Sequence, residues 1–349
     1  MNLPRSHHTP NGFRNNHEIV SRGSFWRWQR ERSSKKLPKA PAGGYRVDSV
    51  KPDVQFLKAN RSEPVITWLG HATFLLQMGG VNILTDPHLT GRASPFAFSG
   101  PKRVVPPALA FHDLPHIHIV VISHNHYDHL DRGTVRHLMK QASGSPRFFV
   151  PLGLKAWMHG AGYAKCVELD WWQWVQDKGL TFHFVPAQHW SARTPWDRNK
   201  TLWGGWIIDH PDFRFFFAGD TGYSADFLEI GRRFAPINLA ALPIGADEPR
   251  WIMGAIHVNP EEAVKIHRDI GARHSVGMHW GTFVLADEPF DEPPHRLALA
   301  RREAGLKEEE FFVMKHGESR SLHTLGWAAP SAPVVPSWAL AAAAKLRTA

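Results

Sequence analysis

Thiols are almost absent from this chain: among 349 residues only Cys166 carries one. No intrachain disulfide can form, and no thiolate cluster can hold a metal. A single cysteine fits a reducing compartment. Any metal must rest on imidazole and carboxylate, and 23 histidines supply ample imidazole. Long apolar runs are missing as well. No window approaches the roughly 18–20 apolar residues that span a membrane. The amino-terminal stretch is polar and basic, without the apolar segment of a secretory signal. These absences predict a cytoplasmic protein, or one lying at the inner face of a membrane. Hydrophobic content of 43% and charged content of 21% are those of a globular protein with a large core.

Acidic residues are scarce in one place only. Residues 1–60 hold twelve Lys/Arg against four acids (Glu18, Glu31, Asp48 and Asp53), which accounts for eight of the formal net charge of +9. The remainder is close to neutral. A nucleic-acid partner is therefore not expected, because phosphate backbones demand a basic track beside the site. The arm carries Phe25, Trp26 and Trp28 among its arginines. Its composition predicts either a solvated, partly disordered leader or a segment lying on anionic lipid with aromatics at headgroup level. The Ala/Pro-rich stretch 326–349 reads as a loose tail, leaving 61–325 as one domain.

From Val65 onward, short apolar runs are separated by turn signals. Strands are predicted over 65–77, 81–85, 116–123, 147–151, 180–186, 202–208, 214–218, 239–244, 275–279 and 310–315. Gly79-Gly80 marks a hairpin. Helices are predicted over 133–141 behind the cap Asp131, over 260–270 behind the cap Asn259, and over 294–305. The second has Pro260 at its first position, Glu261 and Glu262 in its first turn, and Gly271 as its stop. Clustered strands followed by strand–helix alternation, in both halves, point to an α/β fold of two packed sheets with outer helices.

The densest chemistry is Ser123-His124-Asn125-His126-Tyr127-Asp128-His129-Leu130-Asp131, directly after the buried run 117–122. Four ligand-type side chains so close together at a strand end are not isolated core histidines. In extended backbone His124 and His126 point to one side and can share an ion. As the chain turns, Asp128 and His129 can face a second ion. This donor set suits zinc, and also iron or manganese. Three further ligand types end later strands: His189 in Gln188-His189-Trp190, Asp220 in Ala218-Gly219-Asp220-Thr221-Gly222, and His279 in Met278-His279-Trp280-Gly281. With the cluster they complete two coordination sets sharing one carboxylate.

The order His-x-His-x-Asp-His, then His, Asp and His, resembles the metallo-β-lactamase superfamily. That resemblance implies an αβ/βα four-layer sandwich with two divalent ions at one edge. His124, His126 and His189 would hold one ion, Asp128, His129 and His279 the other, with Asp220 bridging. Trp68-Leu69-Gly70-His71 and Asp86-Pro87 fit the same superfamily. Longer strings narrow the likeness: Pro186-Ala187-Gln188-His189-Trp190-Ser191 with Arg193-Thr194, Phe217-Ala218-Gly219-Asp220-Thr221-Gly222-Tyr223, Glu248-Pro249-Arg250-Trp251, His257-Val258, His279-Trp280-Gly281-Thr282-Phe283 and Lys315-His316-Gly317-Glu318-Ser319-Arg320. These closely resemble the N-acyl-phosphatidylethanolamine-hydrolysing phospholipase D family, over about 65–322.

The family's activity is hydrolysis of a phospholipid substrate to N-acylethanolamine and phosphatidic acid. Two ions suit it, since they generate hydroxide near neutral pH and polarise a phosphoryl oxygen. The resemblance also implies a homodimer. Catalytic roles would fall to Asp128, Asp220 and His257, the last resembling a family histidine near the substrate phosphate. His71, Asp86 and Asp131 are candidates for orienting the ligand histidines, and Tyr127 and Arg250 for lining the pocket. Ile256 stands where the family carries a polar residue, and 1–60 show no likeness, which leaves acyl preference open. Trp171-Trp172-Gln173-Trp174 fits either a lipid groove or the core. A lactone or a soluble phosphodiester is the alternative substrate. All seven ligand positions being filled argues against a non-enzymatic relative.

Overall fold

The computed structural model describes residues 7–19, 25–35, 37–96, 98–163 and 165–327. Along the chain the strands are β1 (His8–Thr9), β2 (Gly12–Phe13), β3 (Val65–Gly70), β4 (Thr73–Met78), β5 (Val81–Thr85), β6 (Ile119–Val121), β7 (Arg147–Pro151), β8 (Cys166–Leu169), β9 (Trp174–Asp177), β10 (Leu180–Val185), β11 (Gly205–His210), β12 (Phe213–Phe217), β13 (Ile237–Pro243), β14 (Ala272–Met278), β15 (Phe311–Val313) and β16 (Ser319–Ser321). The helices are α1 (Phe25–Ser34), α2 (Val54–Ala59), α3 (Arg132–Leu138), α4 (Lys155–Gly160), α5 (Asp226–Phe234), α6 (Arg250–Met253), α7 (Pro260–Asp269) and α8 (Glu292–Glu303).

Two seven-stranded sheets carry the order β16-β3-β4-β5-β6-β7-β8 and β15-β14-β13-β12-β11-β10-β9. Each is half antiparallel and half parallel. In the first, β5 through β8 pair parallel; in the second, β12 through β15 do. Parallel neighbours need long crossovers, and α3, α4, α5, α7 and α8 lie in them. The sandwich of two packed sheets with helices outside is the architecture expected from the sequence.

Packing explains why the strands lack polar alternation. Ile119 and Val121 join the core between the sheets with Phe149, Phe182, Phe215 and Trp206. Val120 and Ile122, pointing the other way, join Val135 and Leu138 of α3 in a second layer. The buried Trp206 indole donates to the Ile122 carbonyl at 2.8 Å, tying one sheet to the other. Helix ends follow their local signals. Asn259 and Glu262 form a capping box on α7, and Asp131 accepts from Gly133 N at the start of α3.

Several expectations change. The run 65–77 is two strands, broken where Gly70 and His71 take φ of 107° and 53°. Strands β1, β2, β8, β9 and β16 and helices α1, α2, α4, α5 and α6 lie outside the segments predicted from the sequence. Trp171 is core, its indole donating to Trp203 O at 2.6 Å, and Trp172 lies half-buried under the Arg233 guanidinium. These rings therefore pack the body rather than line a groove. The basic arm is anchored in part. His7 and His8 reach Asp170 at 2.7 and 2.8 Å, and Trp28 is buried with its indole on Asp287. Residues 1–6, and the expected tail beyond Trp327, fall outside the described residues.

Candidate metal centre

Strand geometry delivers the ligand-type residues to one edge of the sandwich. The cluster His124–His129 follows β6, His189 follows β10, Asp220 follows β12 and His279 follows β14. Gly219 is required where two of these loops meet. Its φ is +64°, and a Cβ there would lie 2.6 Å from that of Ser123. The close approach sets Asp220 against the His124 loop.

The first group is three imidazoles. His124 Nε2 lies 2.8 Å from His126 Nδ1, and His189 Nε2 lies 3.3 Å from the same atom. Their outer nitrogens fix the tautomers. His189 Nδ1 donates to Ile256 O at 2.9 Å. His124 Nδ1 is 2.9 Å from Ser123 Oγ, whose hydroxyl donates to Asp86. With both Nδ1 atoms protonated, two Nε2 lone pairs face each other and His126 Nδ1. Three ring nitrogens so gathered are placed to share one cation. Burial keeps the trio neutral, pushing His126 to about 4 and His189 to about 3.

The second group mixes charge types. Asp128 Oδ2 lies 3.3 Å from both His129 Nε2 and His279 Nε2. Asp220 Oδ2 lies 3.1 and 3.2 Å from the same two atoms. It also lies 3.9 Å from His124 and His189, so this carboxylate faces both groups. Asp86 Oδ2 accepts from His129 Nδ1 at 2.7 Å, aiming Nε2 inward. Burial pulls His279 down, but Asp220 and Asp128 outweigh it and raise it to about 9. Burial alone would raise both aspartates, yet the histidines hold them well below the carboxylate range. Two ionised carboxylates in a buried site demand positive charge, which a divalent ion between them would supply. The site thus passes a donor-set test for divalent cations: unprotonated imidazoles on one side, carboxylates on the other, and Asp220 Oδ1 without a hydrogen-bond partner among the described residues.

The remaining expected residues divide. His71 joins the second group, with Nε2 2.9 Å from Asp128 Oδ2. His257 lies at the edge, Nδ1 3.9 Å from Asp220 Oδ2, and burial pushes it down to about 3. Asp86 lies against histidines of both groups, accepting from His129 Nδ1 directly and reaching His124 Nδ1 through the Ser123 hydroxyl. Asp131 does not orient a ligand histidine. Its oxygens accept from Gly133 N, Thr134 Oγ1 and Thr90 N, where a helix start needs an acceptor. Arg250 is engaged on His257 O at 2.8 Å and Glu262 at 2.7 Å, and so braces the His257 loop rather than lining a pocket. Tyr127 donates to Arg193 O, and its ring lies under the Arg193 guanidinium.

Arg193 is the main residue missed. Its Nη1 donates to Asn125 O and Leu130 O at 2.7 and 2.9 Å, clasping both ends of the ligand cluster. Its place in Ser191-Ala192-Arg193-Thr194, a few residues after a ligand, was the available signal.

Comparison with known proteins places the chain in a family. Residues 81–280 match the model of the Beta-lactamase superfamily domain. N-acyl-phosphatidylethanolamine-hydrolyzing phospholipase D 1 of Caenorhabditis elegans is 42% identical over 72% of this chain and 74% of its own length. The mitochondrial N-acyl-phosphatidylethanolamine-hydrolyzing phospholipase D of Saccharomyces cerevisiae is 38% identical over 69% of this chain, which spans 53% of that relative. Among solved structures, a metallo hydrolase from the archaeon Ignicoccus hospitalis superposes with a TM-score of 0.55 at 23% identity, over 74% of this chain and 98% of its own. The last likeness is one of fold.

Proposed function

From a chain that belongs to the N-acyl-phosphatidylethanolamine-hydrolysing phospholipase D family of the β-lactamase superfamily, we propose a phosphodiesterase acting on N-acyl phosphatidylethanolamine. The carrying observation is Asp220, whose one oxygen faces both ligand groups. His124, His126 and His189 would hold one divalent ion, and Asp128, His129 and His279 another, with zinc the first candidate and iron or manganese the others. When bound, such a pair supplies a nucleophilic water at neutral pH and a positive clamp for phosphoryl oxygens. Hydrolysis there would form a bond from a water oxygen to phosphorus and break the one from phosphorus to the ethanolamine oxygen, with a water proton passing to that leaving oxygen, giving phosphatidic acid and N-acylethanolamine.

The chain's own residues keep this geometry. Asp86 and Ile256 O fix ring tautomers, Arg193 holds the cluster loop and Arg250 holds the His257 loop. His257, kept neutral by burial, offers a ring N–H to a phosphoryl oxygen. The lipid contact falls to α1, where Phe25 and Trp26 are exposed while Trp28 turns inward. No helix among the described residues is long and apolar enough to cross a membrane, and a peripheral place at an inner membrane face suits the proposal.

The test is turnover of N-acyl phosphatidylethanolamine in mixed micelles by zinc-loaded protein, beside Asp220→Ala, with products identified by mass spectrometry. The expected products are N-acylethanolamine and phosphatidic acid, with activity reduced at least ~10³-fold in the variant. A metal-loaded protein that leaves this lipid intact but cleaves a lactone or a soluble phosphodiester would overturn the substrate while leaving the family in place.

A further inference from the structure

Residues 7–19 lie ahead of the segment matched by the superfamily model, in the arm whose composition predicts a solvated leader or a lipid-facing segment. In the structure they run across the loop that carries His189. Asn15 grips that residue's backbone from both sides: Nδ2 donates to His189 O at 2.8 Å and Oδ1 accepts from His189 N at 3.0 Å. The same Oδ1 accepts from the buried Trp203 indole at 3.1 Å, which ties Asn15 to the core. On one side of it, Phe13 N donates to Asn199 O at 2.8 Å. Gly12 crosses so close to this point that a Cβ would lie 2.1 Å from Asn199 O. On the other side, Gln188 Nε2 donates to His17 O at 3.3 Å and Asn16 donates to Asp226 at 2.9 Å. The far end of the segment is pinned by His7 and His8 on the two oxygens of the buried Asp170.

We propose that this segment is a strap belonging to the metal centre, and that Asn15 is a positioning residue for His189. The inference rests on His189 being a ligand, as in the proposed function. Among the residues described around it, the His189 ring is held by a backbone carbonyl, Ile256 O, with no carboxylate on its outer nitrogen. Ring placement therefore depends on the backbone, and Asn15 occupies both of that residue's main-chain polar groups. An amide side chain suits this task because it offers one donor and one acceptor in a single plane. The substitution Asn15→Asp keeps the acceptor and loses the donor, whereas Asn15→Ala loses both.

The experiment compares Asn15→Ala, Asn15→Asp and Asn16→Ala in the full chain, each loaded with cobalt(II). Visible spectra report the ligand field, and competition with a chelator reports affinity. Partners that orient metal-bound histidines typically matter by about 10–100-fold in metal affinity. Asn15→Ala is expected to lose one ion within that range, to alter the cobalt bands, and to lower kcat with little change in KM. Asn15→Asp is expected to fall between it and the parent, and Asn16→Ala, which removes one outer anchor of the strap without touching His189, to lie closer to the parent than Asn15→Asp. Unchanged bands and unchanged chelator release in Asn15→Ala would overturn the strap. If Asn15→Ala does not fold, the spectrum and chelator release of Asn15→Asp decide in the same way, with parental values overturning the proposal. Because the metal readouts need no substrate, they stand apart from any failure of the lipid assay.

Discussion

The two halves of the molecule deliver their ligands by different routes. The first half places His124, His126, Asp128 and His129 in one loop after β6, and a single buried carboxylate, Asp86, orients histidines of both groups. The second half sends one residue from each of three strands: His189, Asp220 and His279. Each has its own support, or little. His189 leans on Ile256 O and Asn15, while among the described residues His279 Nδ1 and Asp220 Oδ1 have no hydrogen-bond partner. In the first half the geometry is local and shared. In the second it is tertiary, and depends on strands reaching their places against the core.

This contrast predicts unequal consequences. The largest effect is expected from Asp86→Asn, because one substitution disturbs ligands of both groups. Affinity for both ions should fall by about 10–100-fold, measured by chelator competition, whereas changes at the His189 support should weaken one. Loss of a single ion in Asp86→Asn would break the contrast. A smaller effect concerns pH and the second half alone. Asp247 lies buried near Glu288 with Arg296 at 2.8 Å, and burial followed by the Glu288 charge raises it to about 7. Its folded pKa thus exceeds the unfolded value of about 3.9, so the folded state binds the extra proton. This contribution is fully present below about pH 4 and is lost as pH rises through about 7. Asp247→Asn should flatten that part of the stability profile in thermal melts from pH 4 to 8. A slope equal to the parent's would show that Asp247 does not carry it.

The same contrast explains what could be read from sequence. The His-x-His-x-Asp-His cluster is legible because its ligands are neighbours along the chain, and the α3 and α7 caps because capping is local. His189, Asp220 and His279 were found by their position at strand ends and by family resemblance. Asp131 is legible as a cap, and only its second expected role, orienting a ligand histidine, fails, because a cap and an orienting carboxylate look alike in sequence until the acceptor's partners are known. The break at His71 hides inside an apolar run, where a left-handed residue follows Gly70. Strand β9 carries Trp174 and Val175 beside the polar Gln176 and Asp177, and its pairing with β10 is what makes it a strand. Asn15 and the His7–His8–Asp170 contact were illegible for a stronger reason. They are polar contacts across more than 160 residues of chain, and periodicity carries no trace of them.

The account's central claim is that seven residues hold two divalent ions with Asp220 facing both. The most direct measurement is metal content per chain by inductively coupled plasma mass spectrometry, for the zinc-saturated, desalted parent and for Asp220→Ala. The account predicts about two ions in the parent and one or fewer in the variant. One ion or none in the parent, or two retained in Asp220→Ala, would contradict it.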